Sequence, residues 1–114
     1  MNNYEKHERL KNGFKIAFQN AFPNARIFDR HVGLFYRKNG NPIKINKKGM
    51  ADMWAIMPGP HGLIHLEFEI KSGDGQLTRE QKAWQKQIRA MGGLYFVVRD
   101  TKKTLMDLRA VLPK

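Results

Sequence analysis

The sequence predicts an α/β protein of the α+β type, in which helices flank a mixed β-sheet. Three observations predict this fold class. An apolar stripe with helical spacing runs through the N-terminal residues, short strand-like runs fill the middle, and two further helical segments enclose an apolar run near the C-terminus. The chain has 114 residues and no break in composition, so we expect one domain covering residues 1–114.

The first predicted helix covers Asn3 to Phe22. Its apolar residues recur at the spacing of one helical face: Leu10, Phe14, Ala17, Phe18 and Ala21. Pro23 and Asn24 follow directly, and because proline cannot continue a helix, the segment should end there.

Short strands should follow this helix. Residues 25–29 and 32–37 are rich in β-branched and aromatic side chains, which predicts two strands of a meander. The glycine and proline of residues 38–42 indicate a turn, and residues 43–46 alternate again as a further short strand.

The next two strands should form a hairpin. The apolar run in residues 49–57 ends at the proline- and glycine-rich residues 58–62, which indicate a turn. Residues 65–71 then alternate with the period of a strand. One face of this strand should carry four polar side chains, namely His65, Glu67, Glu69 and Lys71. The opposite face is apolar and should pack into the core.

The C-terminal part should form a helix, a strand and a helix. Thr78 and Gln81 have the spacing of a capping box at a helix start. Trp84, Ile88 and Met91 follow at helical spacing, and we interpret them as core residues rather than base-stacking groups. A Gly-Gly pair at residues 92–93 should cap the helix, residues 94–98 should form a buried strand, and residues 101–112 a terminal helix.

Composition limits the possible functions. The formal net charge of +11 favours a polyanionic partner. Without cysteine there are no disulfides or thiolate metal sites, which leaves oxygen ligands and at most histidine. No apolar run approaches the ~20 residues of a membrane-spanning helix, and no signal peptide is evident, so we expect a soluble cytoplasmic protein with no membrane partner.

Asp52, Glu69 and Lys71 form the most informative polar set. In an antiparallel hairpin, Asp52 near the start of one strand can face Glu69 near the end of the next. Paired carboxylates beside an ammonium group are what divalent-metal phosphodiester chemistry requires. His65 and Glu67 share this face, and we interpret them as an ordinary surface pair rather than metal ligands. The sequence has no phosphate-binding P-loop and no serine nucleophile elbow.

This pattern resembles the VRR-NUC (virus-type replication-repair nuclease) branch of the PD-(D/E)xK nuclease superfamily. The resemblance covers residues 49–99 and combines Asp52, the Glu69-x-Lys71 strand, a glycine-containing loop, the Thr78-x-x-Gln81 helix start, a Gly-Gly helix end and a valine-rich strand. Ala51 stands where the family usually has proline, a departure that affects strand geometry rather than ligands.

The resemblance implies a restriction-endonuclease-like sheet with an αβββαβα order of elements. It also implies a Mg²⁺ or Mn²⁺ cofactor held by Asp52, Glu69 and the backbone carbonyl of Ile70. A glutamate of the first helix should join them, and we prefer Glu8, with Glu5 as the alternative, because Glu8 lies closer to the apolar stripe. Both acids are equally explained as partners of a helix N-terminus.

Lys71 and Gln81 complete the implied catalytic set of Asp52, Glu69, Lys71 and Gln81. Lys71 would orient or help deprotonate the attacking water and add positive charge at the transition state. Gln81 has two interpretations, because its amide could hydrogen-bond a metal-bound water or a phosphate, or it could simply cap the helix.

The implied function is a metal-dependent endonuclease acting on branched DNA such as four-way junctions or flaps, and working as a homodimer. The basic segment before Asp52 should contact the DNA backbone, through Arg37, Lys38, Lys44, Lys47 and Lys48. A solvated hairpin is the alternative for that segment. For the whole chain, the alternatives are a non-catalytic nucleic-acid-binding module and an RNA-cleaving nuclease of the same fold.

Overall fold

The computed structural model describes residues 1–31, 33–45 and 47–113, with residues 33–36 and 43–45 described by their backbone alone. In chain order the elements are α1 (Asn3–Ala21), β1 (Arg26–Asp29), β2 (Gly33–Tyr36), β3 (Pro42–Ile45), β4 (Met53–Gly59), β5 (Gly62–Ile70), α2 (Arg79–Ala90), β6 (Leu94–Val98) and α3 (Thr101–Val111). Among the described residues, none of the helices has both the length and the apolar character needed to cross a bilayer.

The main sheet has four strands in the order β1-β4-β5-β6. β1, β4 and β5 are antiparallel neighbours, whereas β6 returns parallel to β5 after the α2 crossover. The predicted α+β class with a mixed sheet and flanking helices is therefore confirmed. β2 and β3 form a separate two-stranded ribbon inserted between β1 and β4, and without it the elements follow the order αβββαβα.

The α1 prediction is confirmed, with Phe22 at the C-terminal cap. The Asn2 side chain caps the first turn by accepting from the Glu5 N–H at 2.8 Å. Phe14 and Phe18 are fully buried and meet the ring of Phe68 at centroid distances of 4.8 and 5.3 Å. This aromatic cluster fixes α1 against one face of the sheet.

The β4–β5 hairpin is confirmed, and its strands extend to Gly59 and Gly62, closer to the turn than predicted. Gly62 has φ +127°, a conformation that favours glycine over side chains with a Cβ. Strand alternation then divides β5 as expected. Leu66, Phe68 and Ile70 join the core, and the polar residues lie on the opposite face.

The predicted meander of residues 25–29 and 32–37 is wrong in its pairing. Both segments contain strands, but β1 pairs with β4 and β2 pairs with β3. The physical reason lies in Arg30, whose N–H continues the β1–β4 ladder by donating to the Asp52 carbonyl at 2.8 Å. Its buried side chain also holds the chain at the sheet before the ribbon begins. The ends of two predicted strands, Val32 and Asn46, lie outside the described residues.

α2, β6 and α3 occupy the predicted positions. Ile88 on α2 is buried against Ala51 and Tyr95, on the sheet face opposite to α1. Leu105 and Leu108 on α3 join the α1 side of the core. Met91 was predicted to be a core residue and is not, because it lies at the C-terminal cap and is 73% exposed. α2 therefore covers the β5–β6 half of the polar sheet face.

Candidate active site

The position of Asp52 is set by the register of the hairpin. Asp52 directly precedes β4, and its neighbour Met53 pairs with Phe68, so Asp52 faces Glu69 across the two strands. Its Oδ2 accepts the backbone N–H of Ile70 at 2.8 Å. The structure therefore brings together the two carboxylates that the sequence singled out.

Glu69 is 3% exposed and lies between β4 and α2. Burial raises the pKa of its carboxyl to about 8, and the negative charge of Asp52 adds to this effect. The positive charge of Lys71 lowers the pKa of Glu69, which partly offsets these two effects. Oε1 accepts a hydrogen bond from the Gln81 amide at 2.7 Å, while the buried Oε2 makes no well-formed hydrogen bond within the described ranges. The side chain and the backbone of Asp52 both lie near enough to the Glu69 carboxyl to affect its pKa.

Gln81 forms the predicted helix cap and also contacts Glu69, whereas a hydrogen bond from its amide to a phosphate or a metal-bound water stays a prediction. Its Oε1 accepts the Thr78 N–H at 2.9 Å, and its own N–H donates to the Thr78 hydroxyl at 3.2 Å, so the capping box is complete. The other end of the amide donates to Glu69. One side chain thus ties the start of α2 to the buried carboxylate.

Lys71 and Ile70 lie where β5 ends. Ile70 is the last residue of the strand and is 1% exposed. The backbone N–H of Lys71 donates to the Val98 carbonyl on β6 at 3.0 Å, which fixes the start of the following loop. The Lys71 side chain is half-buried and close enough to Glu69 to lower the pKa of that carboxyl. A metal-ligand role for the Ile70 carbonyl stays a prediction.

The residue of α1 that contacts Asp52 is His7 rather than either predicted glutamate. Its Nε2 lies 3.4 Å from Asp52 Oδ2. Glu8 pairs with Lys11 at 3.1 Å, and Glu5 accepts from the Asn2 amide at 3.1 Å. Local spacing around His7 does not predict this contact, because only the tertiary packing of α1 brings His7 to the β4–β5 hairpin. Ligand roles for Glu8 and Glu5 stay predictions.

A second buried carboxylate, Glu67, lies two residues from Glu69 on the same face. The Arg30 guanidinium contacts both carboxylate oxygens of Glu67, with Nη2 donating to Oε2 at 2.8 Å. The Trp84 indole N–H donates to Oε1 at 2.9 Å, and His65 Nε2 contacts Oε2. We call these four residues the Arg30 cluster: Arg30, His65, Glu67 and Trp84. The predicted pairing of His65 with Glu67 is present, but Glu67 is fully buried rather than at the surface.

The Arg30 cluster also supports the position of Asp52. The Arg30 guanidinium donates to the Ala51 carbonyl at 3.2 Å, and the Arg30 backbone N–H donates to Asp52. Arg30 could not be identified from the sequence, because its position just after a strand gives no local signal. Its partner Glu67 lies 37 residues further along the chain.

Tyr95 on β6 is another residue that sequence analysis missed, because it was treated as part of an apolar strand. It pairs with Glu67 across the parallel β5–β6 ladder and is 4% exposed. Its hydroxyl has no hydrogen-bond partner in the described part of the chain. Burial raises the pKa of this phenol, and the negative charges of Glu69 and Asp52 raise it further.

We call Asp52, Glu69, Lys71 and Gln81 the carboxylate site, and its oxygen donors fit a hard divalent cation. A buried carboxylate oxygen without a partner is costly, and a cation would satisfy it while relieving the repulsion between the two acids. Within the described ranges, no three His, Asp or Glu side chains are grouped closely enough to form a complete cage. Mg²⁺ suits such a site because it usually retains several waters.

Two of the predicted DNA-contacting lysines lie close to the Arg30 cluster. Lys47 and Lys48 are exposed and line a small cavity of about 90 Å³ with Glu80 and Trp84. Gly49 allows this approach. It has φ +95°, and a Cβ there would lie 2.6 Å from the Glu80 backbone. The loop therefore packs tightly on the first turn of α2.

The other predicted DNA contacts belong to the β2–β3 ribbon. Arg37 and Lys38 are exposed in its turn, where the Arg37 N–H donates to the Asn41 carbonyl at 2.8 Å. The Lys44 side chain lies outside the described residues. DNA contact by this segment stays a prediction.

No protein-family model matches the chain, and no curated protein matches it. Function is therefore inferred from the residues of the carboxylate site and the Arg30 cluster.

Proposed function

We propose that this protein is a metal-dependent DNA endonuclease with a VRR-NUC-like site on a restriction-endonuclease-like sheet. The observation that carries the proposal is the buried Glu69 carboxyl, which faces Asp52, lies beside Lys71 and has one oxygen without a well-formed hydrogen bond among the described residues. A module that only binds nucleic acid has no need for two repelling acids at this position. The αβββαβα order that remains when the β2–β3 ribbon is set aside supports the proposed topology.

Each residue of the carboxylate site has a proposed role. Asp52 and Glu69 would hold Mg²⁺ or Mn²⁺, with the Ile70 carbonyl, and Gln81 would keep the Glu69 carboxylate in place through its amide hydrogen bond. The bound cation would lower the pKa of a coordinated water and neutralise charge on the phosphate.

Lys71 would act on the reacting groups rather than on the cation. Its ammonium group carries positive charge to the end of β5, where it would orient the attacking water and stabilise the negative charge that develops on the phosphate. A cationic side chain is not a metal ligand, so its role is separable from those of Asp52 and Glu69.

We further propose that the substrate is branched DNA and that the working form is a homodimer. The net charge of +11 favours a polyanion. A chain of this size carries one carboxylate site, so paired cuts in a symmetrical four-way junction would need two copies related by a two-fold axis.

The test is a cleavage assay on a gel. Four-way junctions, flaps, single strands and linear duplexes of matched sequence are incubated with Mn²⁺ or Mg²⁺, and light scattering gives the mass in solution. We expect cleavage of branched DNA that is lost in EDTA and in Asp52→Ala. Full activity in EDTA would contradict the metal mechanism, equal rates on junction and linear duplex would contradict structure preference, and a monomeric mass would contradict the dimer.

A further inference from the structure

Among the described residues, α2 covers one half of the sheet face that carries the carboxylate site, and the other half is partly exposed. Phe28 on β1 pairs with Trp54 on β4, and Trp54 pairs with Glu67 on β5, so these side chains share a face with Asp52 and Glu69. α2 covers Glu67 through the Trp84 hydrogen bond. On the other half, Phe28 is 40% exposed and Trp54 is half-buried.

Three rings form a ladder across this open half. The ring centroids of Phe28 and Trp54 are 4.6 Å apart with a 29° angle between planes, and those of Trp54 and His65 are 5.9 Å apart at 22°. Glu67 fixes the imidazole of His65 from the buried side. Because β1 is an edge strand, the stack ends at Phe28 with an aromatic ring beside open solvent. We call these three rings the aromatic ladder: Phe28, Trp54 and His65.

The open half continues into a groove at the far end of the hairpin. The groove has a volume of about 380 Å³ and is lined mainly by apolar side chains, among them Ile56 and the exposed Leu63. Arg26 also lines the groove, so apolar surface that suits the flat faces of bases lies beside one cationic side chain that could contact a phosphate.

The aromatic ladder lies close to the carboxylate site along β4. Trp54 follows Asp52 by two residues along β4, and two residues of a strand span about 7 Å. Phe28, the exposed ring, lies on the neighbouring strand β1, so a base stacked on it would lie within a few nucleotides of a phosphate at Asp52 and Glu69.

We infer that the aromatic ladder binds unpaired nucleobases of the strand that is cut, next to the scissile phosphate. The inference rests on the proposed nuclease function and specifies its substrate as DNA with splayed or single-stranded nucleotides. Only an unpaired base can turn its face onto Phe28, because bases in a duplex are stacked on one another. The net charge of +11 favours a polyanionic occupant such as DNA.

The test compares binding of two DNA probes in EDTA, where cleavage plays no part. One probe is a fluorescein-labelled duplex with a deoxythymidine flap, and the other is the same duplex with blunt ends. Phe28→Leu removes the ring but keeps apolar bulk, and Phe28→Tyr keeps the ring. Met106→Ala, at an exposed apolar position on α3, is the control.

We expect Phe28→Leu to weaken binding to the flap probe by about 5- to 100-fold, the range for losing one base–aromatic stack, and to leave blunt-duplex binding unchanged. Phe28→Tyr and Met106→Ala should bind both probes like the wild type. Equal weakening on both probes, no weakening on either, or no DNA binding by the wild type would overturn the inference. So would a fall in mass from dimer to monomer in Phe28→Leu, because the face would then be a self-association surface.

The two proposals fail in distinguishable ways. Flap binding that depends on the Phe28 ring, without Mn²⁺-dependent cleavage, would support base binding by the aromatic ladder and contradict the nuclease function. If the wild type cleaves the flap and the Phe28→Leu variant binds the flap equally well, the base-binding role of the aromatic ladder is contradicted and the nuclease proposal is not.

Discussion

Glu67 and Glu69 are the same residue type, two positions apart on one strand face, and both are buried. Burial raises the pKa of Glu67, but hydrogen bonds from Arg30, Trp84 and His65 outweigh it and the net shift is downward. For Glu69, burial and the charge of Asp52 act together and raise the pKa to about 8.

The difference shows that the contacting groups, rather than the position on the strand, determine the pKa and the role of a buried carboxylate. The charge of Glu67 is neutralised inside the protein by Arg30, so Glu67 holds the structure together. The negative charge of Glu69 is opposed within the protein by burial and by Asp52, and its second oxygen makes no well-formed hydrogen bond among the described residues. Glu69 is therefore the carboxylate that we propose as a cation ligand.

The largest expected effect separates cation binding from turnover within the carboxylate site. Glu69→Gln should weaken Mn²⁺ binding, because it removes an anionic ligand, and should abolish cleavage. Lys71→Ala should bind Mn²⁺ like the wild type and lose about a thousandfold in turnover, because it removes a charge that acts in the transition state. Calorimetry with Mn²⁺ and a cleavage assay measure the two quantities. Equal loss of Mn²⁺ binding in both variants would contradict this division.

The next effect concerns Glu67, where we expect a change in stability. Glu67→Ala leaves the buried Arg30 guanidinium without its partner, and breaking a buried pair in this way costs about 3 to 5 kcal/mol in the free energy of unfolding. Asp107→Ala is the matched control, because it breaks the exposed Lys103–Asp107 pair and should cost less than about 1 kcal/mol. Urea unfolding of both variants gives the comparison, and similar losses would show that Glu67 is not the structural anchor.

A third effect follows from the opposite pKa shifts. Folded Glu69 keeps its proton up to about pH 8, whereas the unfolded chain releases it near its ordinary value of 4.5. The folded state therefore binds the extra proton in this window, and the Glu69 contribution to stability falls as pH rises through it. Glu67 has the opposite sign, because its lowered pKa adds stability above 4.5 that is lost at lower pH.

Thermal unfolding in EDTA across the window from 4.5 to about 8 tests this sign. The wild type should lose stability with rising pH relative to Glu69→Gln, which has no proton to release at this position. Parallel curves for the two proteins would contradict the raised pKa of Glu69.

The smallest effect separates the two contacts of Gln81. Thr78→Ala removes a helix cap and should cost about 1 kcal/mol in unfolding free energy, with Mn²⁺ affinity unchanged. Gln81→Ala also loses the amide hydrogen bond to Glu69, so it should additionally weaken Mn²⁺ binding by about tenfold, as for other groups that orient metal ligands. Unchanged Mn²⁺ affinity in Gln81→Ala would limit Gln81 to capping.

Much of the fold follows from local patterns in the sequence. Helical spacing located α1, and period-two alternation predicted that Glu67 and Glu69 share a face of β5. The capping box fixed the start of α2, because a cap depends on residues three positions apart. Asp52, Glu69 and Lys71 could be singled out for the same reason, since a hairpin brings its own two strands together.

Only the tertiary structure determines which groups contact each carboxylate. Arg30 reaches Glu67 across 37 residues, and His7 on α1 reaches Asp52, contacts that no local spacing encodes. The pairing of β1 with β4 rather than with β2 has the same origin, because Arg30 ties the end of β1 to the hairpin. Periodicity determines which face a residue occupies, whereas long-range packing determines what lies against that face and therefore whether its charge is neutralised.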